Sequence, residues 1–415
     1  MNNEISSAHA RRKRVLVIGI NYTPEMTGIA PYTAGMARGL ARDHDVDVIT
    51  AHPHYPAWRV TEGYGGWRRR EDDSGIRLQR LRHHVPSQPT GMSRIVSEGT
   101  FAARALAPGV RRPDAILAVS PALLPVASAH ALGQRWRVPV GVVVQDLYSK
   151  AFSELGLLRG RLDYPVQRLE SSLLGRADGV VAIHQQMADA IVRDLRVTPR
   201  NLTVIPNWSH VQPPRGDRSR RRRELGWDDG RFVVTHAGNM GAKQGLNHLV
   251  ETAKLVEQVG APIRFVLIGS GGTRSSLERS ARGISTIDFM EQLPDDQFME
   301  TLAASDALLL HERPGVKDMC VPSKLTSYFA AARPVVAVTH PESAAASEIR
   351  NSGSGTLVRP GSPAALLQAI DALRLSDTSR LGQAGQQYAR EQLSEDVALG
   401  RYRDWVTSLL TSRLG

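Results

Sequence analysis

Phe232-Val233-Val234-Thr235-His236-Ala237-Gly238-Asn239-Met240-Gly241-Ala242-Lys243-Gln244-Gly245 reads as a strand, a glycine loop and the opening of a helix. A short apolar run that ends in glycine and gives way to an amphipathic segment is the pattern of a buried strand feeding a crossover helix. The loop places two glycines and Lys243 where a phosphate would sit, with the lysine as a point charge. The next apolar run, Phe265 to Gly269, ends in Ile268-Gly269-Ser270-Gly271-Gly272, whose glycines permit close approach of the backbone. Each stretch alone is only a turn. On successive strands of one domain they make a platform the size of a nucleotide.

Two further runs, Ala307 to Leu310 and Pro334 to Val338, continue the series. Upstream lies a second series, with runs at Val15 to Ile20, Val46 to Thr50, Ala115 to Val119, Val138 to Val144 and Gly179 to Ile183. Helical patterns separate most of them, so the fold class is α/β, with mostly parallel sheets covered on both faces. A chain of 415 residues suits two domains of roughly 200 residues each. Between the series stand Ile205-Pro206-Asn207-Trp208, Pro213-Pro214-Arg215-Gly216 and the run Arg218 to Arg223, where proline, glycine and repelling charge predict a linker. The expected division is a first domain over 14–208, a basic linker over 209–224, a second domain over 225–392 and a terminal segment over 393–415.

Hydrophobic residues make up 41% and charged residues 22%, which excludes a largely disordered chain. The formal charge of +11 comes mostly from arginine, clustered at Arg68 to Arg70, Arg111-Arg112 and Arg218 to Arg223. Such clusters are either a solvated surface or a polyanion-binding one. Their dispersal and the lack of interleaved aromatics favour anionic membrane lipid over nucleic acid. The single cysteine, Cys320, fits a reducing compartment, and the apolar run after Arg14 is too short for a signal peptide or a membrane span. A cytoplasmic location is expected.

In the first domain, Asn21 to Ala30 leads from a strand into a helix, and Gly28 with Ile29 can turn backbone N–H groups toward a diphosphate. No G-x-G-x-x-G follows this strand, which argues against a dinucleotide fold of the usual type. After the second strand, His52-Pro53-His54-Tyr55-Pro56-Ala57-Trp58 gathers aromatic rings and imidazoles in a rigid loop suited to a sugar. No third ligand follows the two histidines at a metal-binding spacing, so no metal site is expected. Strand Val138 to Val144 delivers Gln145 and Asp146 to its carboxyl end, where open α/β sheets place their ligands. Asp146 is there a polar or catalytic group, or a helix cap. In the second domain, Pro314 to Leu325 brings Ser323 and Lys324, after Pro322, to a helix start, where the hydroxyl and the ammonium are phosphate donors or a cap with a solvated lysine.

Taken in order, Asn21 to Tyr32, Pro53 to Trp58, Gln145-Asp146, Gly238 to Gly245, Pro322 to Leu325 and Ala330 to Val336 resemble one known family. Across roughly residues 14 to 410 the chain resembles family-4 glycosyltransferases of the GT-B fold, in particular those that build bacterial capsule and exopolysaccharide of colanic-acid type. The resemblance implies two doubly wound Rossmann-like domains facing across a cleft, with a last helix, around Ala398 to Leu410, returning to the first domain. It implies a retaining transfer from a nucleoside diphosphate sugar, usually UDP-linked, to a glycan or polyprenyl-linked acceptor at the inner membrane face, without a bound metal or cofactor. Catalytic roles then fall to Asp146, Lys243 and Lys324. Donor contacts fall to Gly28, Ile29, Gly238, Asn239, Lys243, Gly269, Ser270, Met290, Leu293, Pro322, Ser323, Lys324 and Ser327. Acceptor contacts fall to Glu25, His54, Tyr55 and Trp58.

Two positions depart from the family's pattern. Its paired glutamates, eight apart, fall on Met319 and Ser327, and the arginine that accompanies its lysine falls on Asn239. Lys324 is a replacement cation, with Asp318 as a neighbour. Two rivals stay open: a sugar-nucleotide epimerase on the same fold, which needs no acceptor, and a non-catalytic nucleotide-sugar-binding protein.

Overall fold

The computed structural model describes residues 11–26, 28–87, 91–107, 109–149, 163–198, 202–209, 213–316 and 322–411. The chain forms two compact units, Met1–Asn207 together with Asp396–Gly415, and Trp208–Glu395.

The first unit is built on eight strands: β1 Arg14–Ile18, β2 Asp45–Ala51, β3 Arg68–Asp73, β4 Ile76–Leu81, β5 Ala115–Ser120, β6 Val140–Val144, β7 Gly179–Ala182 and β8 Leu202–Val204. They lie in the order β3-β4-β2-β1-β5-β6-β7-β8. Val15 pairs with Val46 on one side and Ala115 on the other, both in parallel register. Helices cover both faces of such a sheet, so its central strands are apolar without alternation, and Val15, Leu16, Val17 and Ile18 are all fully buried.

The second unit has six parallel strands: β9 Phe232–Ala237, β10 Ile263–Ile268, β11 Ile287–Met290, β12 Ala307–His311, β13 Val335–Val338 and β14 Gly355–Val358, in the order β11-β10-β9-β12-β13-β14. Alternate residues serve opposite faces, as strand geometry requires. Val234, Phe265, Leu267 and Leu309 join one apolar cluster, while Val233, Val266, Leu308 and Leu310 join the other.

In both sheets the chain reverses its direction of travel once, between β1 and β5 and between β9 and β12. The loops after those strands diverge there, leaving a crevice at the carboxyl ends where ligands of open α/β sheets bind. The loops quoted above after β1 and β9 therefore stand at the switch points.

The reading of the arginine run as linker is corrected. Arg218–Glu224 is a helix capped by Asp217, which accepts from the Ser219 N–H. Arg218 and Arg222 both bind the Asp306 carboxylate, at 2.5 and 3.0 Å, and Arg220 and Arg221 pair with Glu224. The run does not extend by self-repulsion because Asp306, remote in sequence, neutralises it. Likewise Arg68–Asp73 is an antiparallel edge strand, in which Arg69 binds Glu71 at 2.6 Å. Much of the clustered positive charge is thus met by the protein's own carboxylates. Among the described residues no helix is long and apolar enough to cross a membrane.

The final helix, Glu395–Thr411, lies on the first sheet, where Gly141 of β6 and Gly179 of β7 leave room for it. A Cβ at Gly141 would sit 2.5 Å from the Trp405 ring and 2.8 Å from Leu409, and one at Gly39 would sit 2.7 Å from Leu399. Gly141→Val should therefore destabilise the first unit by about 1–3 kcal/mol through overpacking. Gly400→Ala is the control of opposite sign. Its Cβ meets open space within the same helix, so it should stabilise by about 0.4–1 kcal/mol. Urea denaturation read by tryptophan fluorescence checks both; a neutral Gly141→Val would mean that the helix does not seat on these glycines.

Candidate active site

In the second unit the site grows from the ends of β9, β10 and β12. Gly238 and Gly269 both take positive φ, 116° and 126°, and a Cβ on Gly269 would lie 2.4 Å from the Gly238 carbonyl oxygen. The Met240 N–H donates to the Ser270 carbonyl at 2.8 Å. The glycines thus let the two loops pack backbone to backbone, a structural demand beyond the ligand approach expected of them. Ser270, Asn239 and Lys243 remain exposed on this platform. Lys243 lies in a short 3-10 turn, Ala242–Gln244, and its carbonyl accepts from the Arg313 N–H after β12, at 3.0 Å, across the switch point.

Lys324 opens the helix Lys324–Ala330 and reaches back over Gly238, where a Cβ would meet its Cε and Nζ at 3.6 Å. Its Nζ lies 3.3 Å from His236 Nε2. His236 Nδ1 is 3.0 Å from the Leu309 carbonyl, which can only accept, so Nδ1 carries the proton and the Nε2 lone pair receives the ammonium. Burial first, and then the Lys324 charge, hold this fully buried imidazole well below its usual pKa and so neutral. Burial also lowers the Lys324 ammonium to about 8, with the Glu312 carboxylate pulling the other way. Glu312 is itself buried at the end of β12, where Thr339 donates to it. Tyr328, one turn along the helix, accepts from the Ala237 N–H at 2.9 Å and pins the helix to β9.

The structure thus brings Gly238 and Lys324 together and places Gly269 and Ser270 on the adjoining loop. Ser323 stands at the N-cap with its hydroxyl outside any capping bond, and Pro322 precedes it half-buried. Ser327 is buried in the helix. The loop expected to read a base holds Met290 and Leu293 half-buried. The Met290 carbonyl accepts from the Gly269 N–H and from Arg274, whose guanidinium also binds the Gly269 carbonyl at 2.6 Å. Asp318, Met319 and Cys320 lie outside the described residues. Sequence reasoning quoted His236 without assigning it a role, and it missed Arg274 and Glu312. The signal for His236 was a polar residue inside an otherwise apolar strand.

In the first unit a cavity of about 210 Å³ opens at the β1/β5 switch point, lined among others by Asn21, Gly28, Ile29, His54, Tyr55 and Trp58. Gly28 has φ 67°, and the Tyr55 ring lies 3.2 Å from where its Cβ would be. Trp58 meets both His54 and Tyr55 edge-on, at centroid distances of 5.8 and 6.3 Å. Glu25 has a role the sequence did not reveal. Its buried carboxylate accepts from the His54 and Tyr55 N–H groups at 2.8 and 2.9 Å and from Asn21 at 2.9 Å, latching the loops after β1 and β2 together. Glu98 and Arg94, on the helix Gly91–Ala105, complete the wall and were not foreseen. Burial raises the Glu98 carboxyl to about 7 against the pull of Arg94. Asp146 follows β6, half-buried, with Oδ1 accepting from the Leu147 N–H at 2.8 Å. Beside it Gln145 Oε1 accepts from Asn207 at 2.7 Å. Among the described residues no group of three His, Cys, Asp or Glu is placed to hold a metal ion.

Comparison with known proteins agrees with this architecture. Residues 27–208 match the glycosyl transferase 4-like domain, and residues 231–375 match the glycosyl transferases group 1 family. The chain is 31% identical to the Escherichia coli K12 protein named for colanic acid biosynthesis as glycosyl transferase WcaI, over 76% of this chain and 81% of that one. Among solved structures, sucrose-phosphate synthase from Thermosynechococcus elongatus covers 97% of this chain and all of its own (100%), with TM-score 0.70 at 16% identity. Anabaena HepE in complex with UDP covers 96% of this chain and 100% of its own, with TM-score 0.67 at 15% identity. Two Rossmann-like parallel-sheet units and these matches converge: the chain belongs to the family-4 glycosyltransferases of the GT-B fold.

Proposed function

We propose that the chain transfers a sugar, with retention of anomeric configuration, from a UDP-linked donor to a glycan or lipid-linked glycan acceptor in the synthesis of cell-surface polysaccharide. The reaction takes place in the cytoplasm at the inner membrane face. The observation that carries the reading is Lys324, a cation with a lowered pKa aimed over the Gly238 loop by a neutral imidazole. A half-buried ammonium hydrogen-bonded to a neutral imidazole is suited to an anion, and the UDP held by HepE supports a nucleoside diphosphate as that anion. The similarity to WcaI supports the polysaccharide context.

In this reading Gly238, Asn239, Lys243, Ser270, Ser323 and Lys324 hold the diphosphate of the donor. Pro322 and Ser327 shape the helix start, and the backbone at Met290 and Leu293 reads the base. His54, Tyr55 and Trp58 face the acceptor, positioned by Glu25. The bond from the anomeric carbon to the diphosphate breaks with its electron pair leaving on the phosphate oxygen, where Lys243 and Lys324 stabilise the developing charge. The acceptor oxygen bonds to the same face, and its proton passes to the departing diphosphate. Lys324 thereby supplies the positive charge that the family's arginine supplies elsewhere.

Proton NMR of the first-formed product, from UDP-glucose and a panel of other UDP-sugars with an oligosaccharide acceptor, tests the reading. Retention at the anomeric carbon is expected. An inverted product would sink the retaining mechanism, and conversion of the donor alone into an epimeric sugar nucleotide would replace a transferase by an epimerase.

A further inference from the structure

Three loops of the second unit meet beside its glycine platform, and they are joined in two different ways. The loop after β10 is fixed to the loop after β9 by backbone: the Met240 N–H donates to the Ser270 carbonyl at 2.8 Å, and the Thr273 N–H donates to the Met240 carbonyl at 3.0 Å. Gly271 lets the two loops touch, since a Cβ there would lie 2.5 Å from the Met240 carbonyl oxygen. On the other side, the parallel pairing of β10 with β11 ends at Ile268 and Met290, and its last bond runs from the Gly269 N–H to the Met290 carbonyl at 3.2 Å. Past that bond, among the described residues, the loops after β10 and β11 are hydrogen-bonded through one side chain, Arg274.

The Arg274 guanidinium spans the gap. Its Nη1 donates to the Gly269 carbonyl at 2.6 Å and to the Met290 carbonyl at 3.3 Å, and its Nη2 pairs with the Glu291 carboxylate at 2.7 Å. Glu278, one turn along the helix Arg274–Ser280, accepts from Nε at 2.8 Å and so fixes the plane of the fork. Only 15% of the side chain is exposed, which limits the competition of water for these bonds. Gly269 belongs to the platform proposed for the diphosphate, and Met290 opens the segment proposed to read the base. Because a guanidinium is rigid and planar, one group sets the distance between those two carbonyls.

We propose that Arg274 is the positioning residue for base selection, holding the segment from Met290 to Leu293 at the span from the diphosphate platform that a pyrimidine nucleotide requires. The assignment rests on the donor-binding reading above and names what sets its choice of base. A nucleotide fixes the separation of its base from its phosphates through the ribose, so a loop held at one distance admits one size of base. Released from the clamp, the loop can retreat and admit a purine. Arg274 itself touches neither base nor phosphate; it acts through the two carbonyls it holds.

Titration calorimetry of the full chain with UDP, ADP and inorganic pyrophosphate tests the assignment in the wild type, Arg274→Gln and Arg274→Lys. The wild type should prefer UDP to both other ligands. Arg274→Gln should weaken UDP by about tenfold or more, the scale of lost charge-assisted hydrogen bonds, narrow the preference for UDP over ADP and leave pyrophosphate affinity unchanged. Arg274→Lys keeps the charge without the fork and should lose UDP affinity and base preference as well. Should Arg274→Gln fail to fold, Arg274→Lys, which retains a cation between Glu278 and Glu291, carries the same test. The proposal falls if UDP and pyrophosphate weaken in parallel, which would put the effect on the phosphates or on the platform as a whole. It also falls if the preference for UDP over ADP is unchanged, or if Arg274→Lys binds UDP as the wild type does. A wild type that binds UDP no better than pyrophosphate removes the base-reading segment and with it the donor reading, whereas a selective wild type whose selectivity survives in both variants removes only the role of Arg274.

Discussion

Lys324→Ala is expected to weaken UDP binding by about 1.5–3 kcal/mol, the worth of a hydrogen bond to a charged group. That corresponds to roughly ten- to 150-fold in affinity. Lys243→Ala should also weaken it, but less, because Lys243 is exposed and water screens its charge. The folded state should tolerate the loss of Lys324, since desolvation already opposes its charge. Its folded pKa of about 8 lies below the ordinary 10.5, so the unfolded chain holds the proton more tightly. This group therefore penalises stability fully below pH 8, and the penalty fades as pH rises towards 10.5. Lys324→Met should remove that pH dependence while leaving the fold intact.

The same shift sets the pH dependence of donor binding. A diphosphate beside Lys324 favours the ammonium and raises its pKa, so binding below about pH 8 should be independent of this group, and above it affinity should fall as the free protein loses the proton. Calorimetry in buffers of different ionisation enthalpy should show proton uptake on UDP binding above pH 8, absent in Lys324→Met. Unchanged affinity in both lysine variants, with no proton uptake, would place the phosphates elsewhere.

The fold was legible because its strands are continuous apolar runs. Val15 to Ile18, Ala115 to Val119 and Phe265 to Ile268 announce burial on both faces by composition alone. The hairpin β3/β4 was not, because Arg68–Asp73 is an edge strand whose charged side chains face water. The signal was present in its turn, Ser74-Gly75, which takes positive φ at both residues, 57° and 88°. The arginine helix was hidden for another reason. Asp306, which binds Arg218 and Arg222, lies more than eighty residues away, and no local pattern reveals a partner supplied by tertiary structure. The site divides in the same way. Gly238 and Lys324 stand out in their loops, whereas the roles of His236, Glu98 and Glu25 exist only through contacts made across the fold.

Asp146→Asn is expected to lower turnover by about tenfold to a thousandfold, the range for a lost acid–base or positioning group, while leaving UDP affinity nearly intact. The substitution isolates charge from structure. Asp146 Oδ1 accepts from the Leu147 N–H at 2.8 Å, and an asparagine oxygen can accept the same bond, so the backbone after β6 should be unaltered. What changes is the field at the end of β6, beside the switch point of the first sheet. The proposed role is to orient a sugar hydroxyl and not to attack the anomeric carbon. A double displacement uses a nucleophile and an acid held on opposite sides of the bond. Among the described residues the carboxylates that flank this region are otherwise engaged: Glu25 latches two loops, Glu98 accepts from the Leu123 N–H and pairs with Arg94, and Glu170 accepts from the Tyr148 and Ser149 N–H groups. Intact mass spectrometry during turnover should therefore find no glycosylated protein. A sugar trapped on Asp146 would make that residue the nucleophile. Wild-type turnover in Asp146→Asn would reduce it to a cap.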